Sequence, residues 1–204
     1  MARKVLLNIL IVLFAFIAFP ITAEANAVSN ADVKELIVKH SMEMGVDPAL
    51  ALSIAKKESN FKHSSRSKYG AIGVFQLMPN TAKRLGYNPY KLTENIKGGI
   101  TYYKMMYKMF GKIELALAAY NAGPGNVRKY NGIPPFAETK RFVSVIMSNY
   151  KNMKVNPDPA IVQYQQTLKD INNQDLNIDL EEQGIAFVQA NDAILKSYLA
   201  NQGI

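Results

Sequence analysis

The chain has 204 residues, of which 49% are hydrophobic and 20% charged, with 24 Lys and Arg against 16 Asp and Glu. These are globular values, and the length suffices for one domain of ordinary size with a real core plus extras. The chain contains no cysteine, which excludes disulfides and a lipoprotein attachment site, so an exported form must rest on its own core.

The N-terminus is a separate object. Arg3 and Lys4 precede an apolar run from Val5 to Phe19 broken only by Asn8; Pro20 and then Ala23-Glu24-Ala25-Asn26-Ala27 follow. A basic start, a short apolar run and overlapping small-x-small sites predict a signal peptide over 1–27 and an exported, periplasmic or wall-associated protein. An uncleaved anchor is the alternative, although a bilayer span needs ~20 apolar residues. From Val28 to Lys154 there are 20 Lys and Arg against 8 Asp and Glu, whereas from Val155 to Ile204 there are 2 against 7. A basic body suits an anionic polymer outside the membrane. Nucleic acid loses ground as a partner because no nucleic-acid-binding motif is present.

The first helix is predicted over 30–44, with its cap in Asn30-Ala31-Asp32, Val33, Leu36, Ile37 and His40 at helical spacing, and Gly45 as its stop. His40 and His63 are the only histidines. Neither sits in a metal-type cluster, so both read as structural or surface residues.

Asp47-Pro48 starts the central helix, Asp as cap and Pro at the first helical position. Ala49 to Ala55 are apolar except for Ser53, which predicts a helix buried on most of its surface. Glu58 ends it and prolongs the stripe of Leu50, Ala51 and Ile54, while Lys56 and Lys57 diverge. Burial and the negative end of the helix dipole both disfavour charge on that carboxyl. A proton held near neutral pH is what a general acid needs.

Residues 59–78 read as a loop or small hairpin in which Gly70 and Gly73 allow tight turns and close approach to a ligand. Val74, Phe75, Leu77 and Met78 supply an apolar wall, with Gln76 the one polar amide among them. A helix follows from Pro79 to Gly86, and a longer one from Asn95 to Phe110 with Ile96, Ile100, Tyr103, Tyr107 and Phe110 as its core stripe. Gly98-Gly99 inside it predicts a neighbouring helix pressed close. Residues 113–121 form a nearly all-apolar helix that delivers Tyr120 and Asn121 at its end, before a sharp turn at Gly123-Pro124-Gly125. Ile133-Pro134-Pro135 is an extended link. A last helix runs from about Ala137 to Lys151 with Phe142, Val143, Ile146 and Tyr150 inward. Glu138 begins it, where a carboxylate either complements the dipole or serves a site. Beyond Asn156-Pro157-Asp158-Pro159 the composition turns to Gln, Asn and Asp, with amphipathic patterns near 160–172 and 181–200 and no recognised motif.

Glu58-Ser59-Asn60-Phe61, Ser67 to Pro79, Ala118 to Val127 and Glu138 to Val143 stand in an order and spacing that resemble the soluble-lytic-transglycosylase (SLT) catalytic domain of the lysozyme-like superfamily, over roughly residues 30–150. The resemblance implies a mainly α fold of about seven to nine helices with at most a very small β element, spanning 28–154, and leaves 155–204 as an acidic, helical extension. It implies Glu58 as the single catalytic acid/base, with Ser67, Gln76, Met78, Tyr120, Asn121 and Glu138 in contact with substrate. The family usually reads Gly-Leu-Met-Gln where this chain has Gly73-Val74-Phe75-Gln76, and often Tyr where it has Phe142. The first change reshapes an apolar wall and leaves the chemistry intact; the second removes a hydroxyl.

Between residues 45 and 140 there are five acids: Asp47, Glu58, Glu94, Glu114 and Glu138. A glycosidase usually needs two carboxylates at the site, and only Glu138 is left to be a second one, so a one-carboxylate mechanism fits better. The resemblance implies cleavage of peptidoglycan glycan strands with formation of a 1,6-anhydro sugar, and implies no metal, organic cofactor or obligate oligomer. A hydrolytic, lysozyme-like muramidase and a catalytically silent wall-binding module remain the alternatives. The acidic tail from Asp158 onward is a candidate dock for a secretion or conjugation complex.

Overall fold

The computed structural model describes residues 28–175. The expected signal peptide and the amphipathic pattern near 181–200 lie outside the described residues. Eight helices follow one another: α1 Asn30–Glu43, α2 Pro48–Ser59, α3 Pro79–Leu85, α4 Leu92–Phe110, α5 Ile113–Ala122, α6 Pro124–Lys129, α7 Ala137–Val155 and α8 Pro159–Asp175. Among the described residues the only β pairing is two isolated antiparallel bridges, Arg66 with Ile72 and Ile72 with Leu77. No helix among them is long and apolar enough to cross a membrane.

The core is built on α2. Asp47 caps it, one carboxylate oxygen accepting from the Ala49 amide at 2.9 Å. Every residue from Pro48 to Ala55 is buried. Ser53 is tolerated there because its hydroxyl donates to the Ala49 carbonyl at 2.6 Å. Helices α1 and α7 pack on α2, and α5 packs on α4 and α7. The other oxygen of Asp47 accepts from the Tyr150 hydroxyl at 2.8 Å and the Lys154 ammonium at 3.2 Å. The start of α2 is thereby tied to the end of α7, and its own end lies toward the start of α7.

Several boundaries differ from the sequence reading for local reasons. The cap of α1 is Ser29, in a capping box with Asp32, and not the Asn30 segment itself. The stripe on α4 turns at Tyr103 to Met106, which is buried, and leaves Tyr107 exposed. A β-carbon on Gly98 or Gly99 would strike Leu77 or the ring of Phe75. What presses on these glycines is therefore the 71–77 loop and not a helix. Gly123-Pro124 turns directly into α6, whose first position the proline fills.

The chain beyond residue 154 begins as part of the helical body. Helix α7 continues to Val155, and α8 packs on α1 with Ala160 and Ile161 buried. Asp158, the expected head of the acidic tail, accepts from the Lys34 ammonium at 2.7 Å and caps α8 through the Ala160 amide.

Candidate active site

Glu58 stands in the last turn of α2, which Asn60 closes in a left-handed conformation. The residue keeps some exposed surface, yet its carboxyl sits deep enough for desolvation to dominate. Burial pushes its pKa to about 8; Lys57 pulls it down and Glu138 pushes it up by smaller amounts. Glu58 is therefore protonated at neutral pH. Lys57 diverges less than its helical position suggests: it is only part-exposed, and its ammonium lies over the Phe142 ring, 5.4 Å from the centroid.

The loop that faces the acid is clamped from outside. Ile72 and Leu77 exchange both backbone hydrogen bonds at 3.0 Å, closing a hairpin over 73–76. Gly73 and Gln76 both take positive φ, 76° and 46°, and for a residue with a side chain that geometry is uncommon. Asn95, fully buried on α4, holds the hairpin open: its carbonyl accepts from the Phe75 amide at 3.0 Å, and its NH2 donates to the Ile72 and Pro89 carbonyls at 2.8 and 3.1 Å. The Ser59 hydroxyl, next to Glu58, donates to the Val74 carbonyl at 2.9 Å. Tyr120, from the end of α5, donates to the Phe75 carbonyl at 2.8 Å. Its own pKa is raised well above the ordinary tyrosine value, first by burial and then by the Glu58 charge.

Around Tyr120 the aromatic rings form a wall. Tyr102 tilts against it with centroids 5.0 Å apart, and Phe142 stacks on it at 6.4 Å and 12°. Phe142 has no hydroxyl to offer, and its ring is buried between Tyr120 and Lys57.

The other expected site residues fall in two groups. Gln76 turns its amide nitrogen inward, donating to the Gly73 carbonyl at 2.8 Å and the Ser65 carbonyl at 3.3 Å. Asn121 accepts from the Thr139 hydroxyl at 2.8 Å and so joins α5 to the first turn of α7, where Glu138 stands. Of these, Glu138 acts on the Glu58 charge as Tyr120 does, Asn121 is the chain neighbour of Tyr120, and Gln76 stands in the hairpin that Tyr120 holds. Ser67 instead organises the loop, its hydroxyl accepting from the Tyr69 and Ala71 amides at 3.2 and 3.0 Å. Met78 precedes α3 with 43% of its surface exposed, an apolar rim more than a partner of the acid. A pocket of about 580 Å3 lined by Lys57, Ala137, Glu138, Arg141 and Val145 opens beside α7.

Asn95 and Tyr102 escape a motif reading, and Ser59 stands in a quoted motif without a role assigned to it. Asn95 alone had a signal: it is a polar residue beside Ile96 at the start of a helix whose glycine pair admits a close neighbour. The two histidines behave as expected: His40 bonds Glu43 at 2.8 Å and His63 bonds the Tyr90 carbonyl at 2.9 Å. No cluster of potential metal ligands occurs among the described residues.

The family model described as "Transglycosylase SLT domain" matches residues 35–143, which carry every residue named above for the site except Val145 of the pocket. The transglycosylase of Enterobacteria phage PRD1 is 33% identical over 128 residues, covering 62% of this chain and 46% of that protein. The soluble lytic murein transglycosylase of Escherichia coli K12 is 30% identical over 139 residues, covering 56% of this chain and 22% of its own. The chain thus spans less than half the length of these curated relatives. Among solved structures, the 70 kDa soluble lytic transglycosylase of Escherichia coli superimposes with a TM-score of 0.53 at 28% identity, over 62% of this chain and 25% of that one. A 70 kDa soluble lytic transglycosylase in complex with bulgecin A gives 0.54 at 27% identity, again over 62% and 25%.

Proposed function

This chain belongs to the transglycosylase SLT domain family, and on that premise we propose that it is a peptidoglycan lytic transglycosylase in which Glu58 is the single general acid and base. The observation that carries the reading is one carboxyl pushed to about 8 at the end of a buried helix, beside a clamped loop and an aromatic wall. Protonated Glu58 donates to the oxygen between N-acetylmuramic acid and N-acetylglucosamine, and the bond from that oxygen to the anomeric carbon breaks. The sugar's N-acetyl carbonyl stabilises the positive carbon, a form of substrate assistance. Ionised Glu58 then takes the proton of the C6 hydroxyl, whose oxygen closes onto the same carbon. The proton returns to Glu58, no water is consumed, and the product ends in a 1,6-anhydro ring. Proton transfer of this kind supplies ~10²–10⁴-fold, and positioning by Gln76, Tyr120 and Asn121 supplies much of the rest.

Mass spectrometry of fragments released from purified peptidoglycan tests this. Products about one water (~18 Da) lighter than hydrolysis products, absent with Glu58→Gln, are expected. Ordinary reducing ends would favour the hydrolytic reading, for which the influence of Glu138 on Glu58 makes Glu138 the second carboxylate.

Location and boundaries belong to the same proposal. The basic start and short apolar run support export by residues 1–27. The charge shift after residue 154 supports a distinct role for the end of the chain, with a secretion or conjugation complex as its partner.

A further inference from the structure

His63 ties the chain that leaves the acid to the turn that precedes α4. Its Nε2 faces the Tyr90 carbonyl oxygen at 2.9 Å and so carries the proton that it donates. Its Nδ1 is buried and finds no partner among the described residues. An orphaned acceptor costs stability, so packing alone does not explain a histidine here. Arg66 grips the same turn. Its guanidinium donates to the His63 and Ser65 carbonyls at 3.0 and 2.8 Å and lies over the Tyr90 ring, 5.7 Å from the centroid. The Ser65 carbonyl also accepts from the Gly73 amide at 3.0 Å and from the Gln76 side chain at 3.3 Å. From the other side, Asn95 holds Pro89 of that turn and Phe75 of the hairpin. These links close a ring in which the hairpin is held once from α4 and once from the chain after Glu58. Between Glu58 and His63 the backbone passes through Asn60 and Phe61, both at positive φ, 51° and 67°. A bulky residue keeps such a backbone only where its surroundings over-determine it.

We infer that His63 is a positioning residue, whose hydrogen bond to Tyr90 fixes the path from Glu58 to Ser65 and thereby sets the Gln76 side chain relative to the acid. The inference rests on the glycan-cleaving reading above, in which Gln76 helps to place the substrate. Without the bond, the strained turn at Asn60 and Phe61 is free to relax, Ser65 shifts with it, and Gln76 follows the carbonyl that it is bonded to. Arg66 reinforces the latch by holding the Tyr90 ring while its guanidinium binds the backbone on either side of Ser64. The effect is one of alignment and not of contact area, so it belongs to kcat more than to KM.

The test is steady-state release of fragments from purified peptidoglycan by the full chain, at a temperature where circular dichroism shows each variant folded. His63→Leu removes the donor, and His63→Gln restores an amide donor at similar reach. In His63→Leu, kcat is expected to fall about tenfold, within the ~10²-fold that misplacement can cost, with KM nearly unchanged. His63→Gln should recover most of that loss. Arg66→Met, at an exposed position, serves as the second variant should His63→Leu fail to fold, with a smaller fall in kcat expected. An unchanged kcat in these variants, beside an active parent, overturns the inference alone and leaves a bond that serves only the fold. Equal losses in His63→Leu and His63→Gln overturn it too, because the donated hydrogen is then not what matters. A folded parent that releases nothing overturns it together with the glycan-cleaving reading.

Discussion

The hydroxyl of Tyr120 donates to the carbonyl oxygen of Phe75, 2.8 Å away and 45 residues earlier in the chain. The bond fastens the hairpin that carries Gln76 to the helix that faces Glu58. Removing the hydroxyl in Tyr120→Phe leaves a buried carbonyl unpaired, at a cost of ~1–3 kcal/mol. Denaturant unfolding should show that loss. Steady-state kinetics should show kcat falling more than KM rises, since the ring remains to pack and only the alignment loosens. An unchanged kcat would separate the bond from catalysis.

Asn95 makes three hydrogen bonds to the backbone around that hairpin. Asn95→Ala orphans one amide and two carbonyls, so the expected destabilisation is about 3 kcal/mol or more. Gly99→Ala should also destabilise, by ~1–3 kcal/mol from overpacking against Phe75, although alanine is the better helix former. Thermal melts of both variants check this; a Gly99→Ala protein as stable as the parent would mean that the hairpin yields easily.

The helices are legible in the sequence because each rests on nearby residues. Asp47 and Pro48 announce α2, Gly86 and Gly111 close α3 and α4 in left-handed caps, and Glu58 continues a stripe that can be counted. The hairpin over 73–76 is less legible because its shape depends on Asn95, Ser59 and Tyr120, 15 to 45 residues away from the groups that they bind. A motif reading finds Gln76 but not its positive φ, nor that its amide nitrogen is spent on the loop itself. Lys57 illustrates the same limit: helical spacing sends it away from Glu58, and the Phe142 ring brings it back.

Lys57 and Glu138 push the Glu58 carboxyl in opposite directions, and the pH–rate profile should show it. General-acid activity requires the protonated form, so the rate is expected to fall as pH rises through about 8. Lys57→Met should move that alkaline limb upward and Glu138→Gln should move it downward. Limbs that stay together would remove both side chains from the electrostatics of the site.

Stability should carry the same signature. The folded protein holds the Glu58 proton to about 8, against 4.5 for the free group. The fold therefore binds that proton more tightly than the unfolded chain does. The resulting stability is fully present below 4.5 and is lost as pH rises through about 8. Glu58→Gln has no such charge to bury. Its unfolding free energy relative to the parent should climb between those limits and level off above them, with a gap on the order of a few kcal/mol. A constant difference across that range would mean that the carboxyl is already ionised at neutral pH.

Helix α8 turns away from the site and docks on α1, with Asp158 bound to Lys34 at the junction. A pull on α8 would therefore reach α2 by two routes, through α1, which packs on it, and through α7, which continues into α8. The far end of the described chain is thus mechanically coupled to the helix that ends in Glu58.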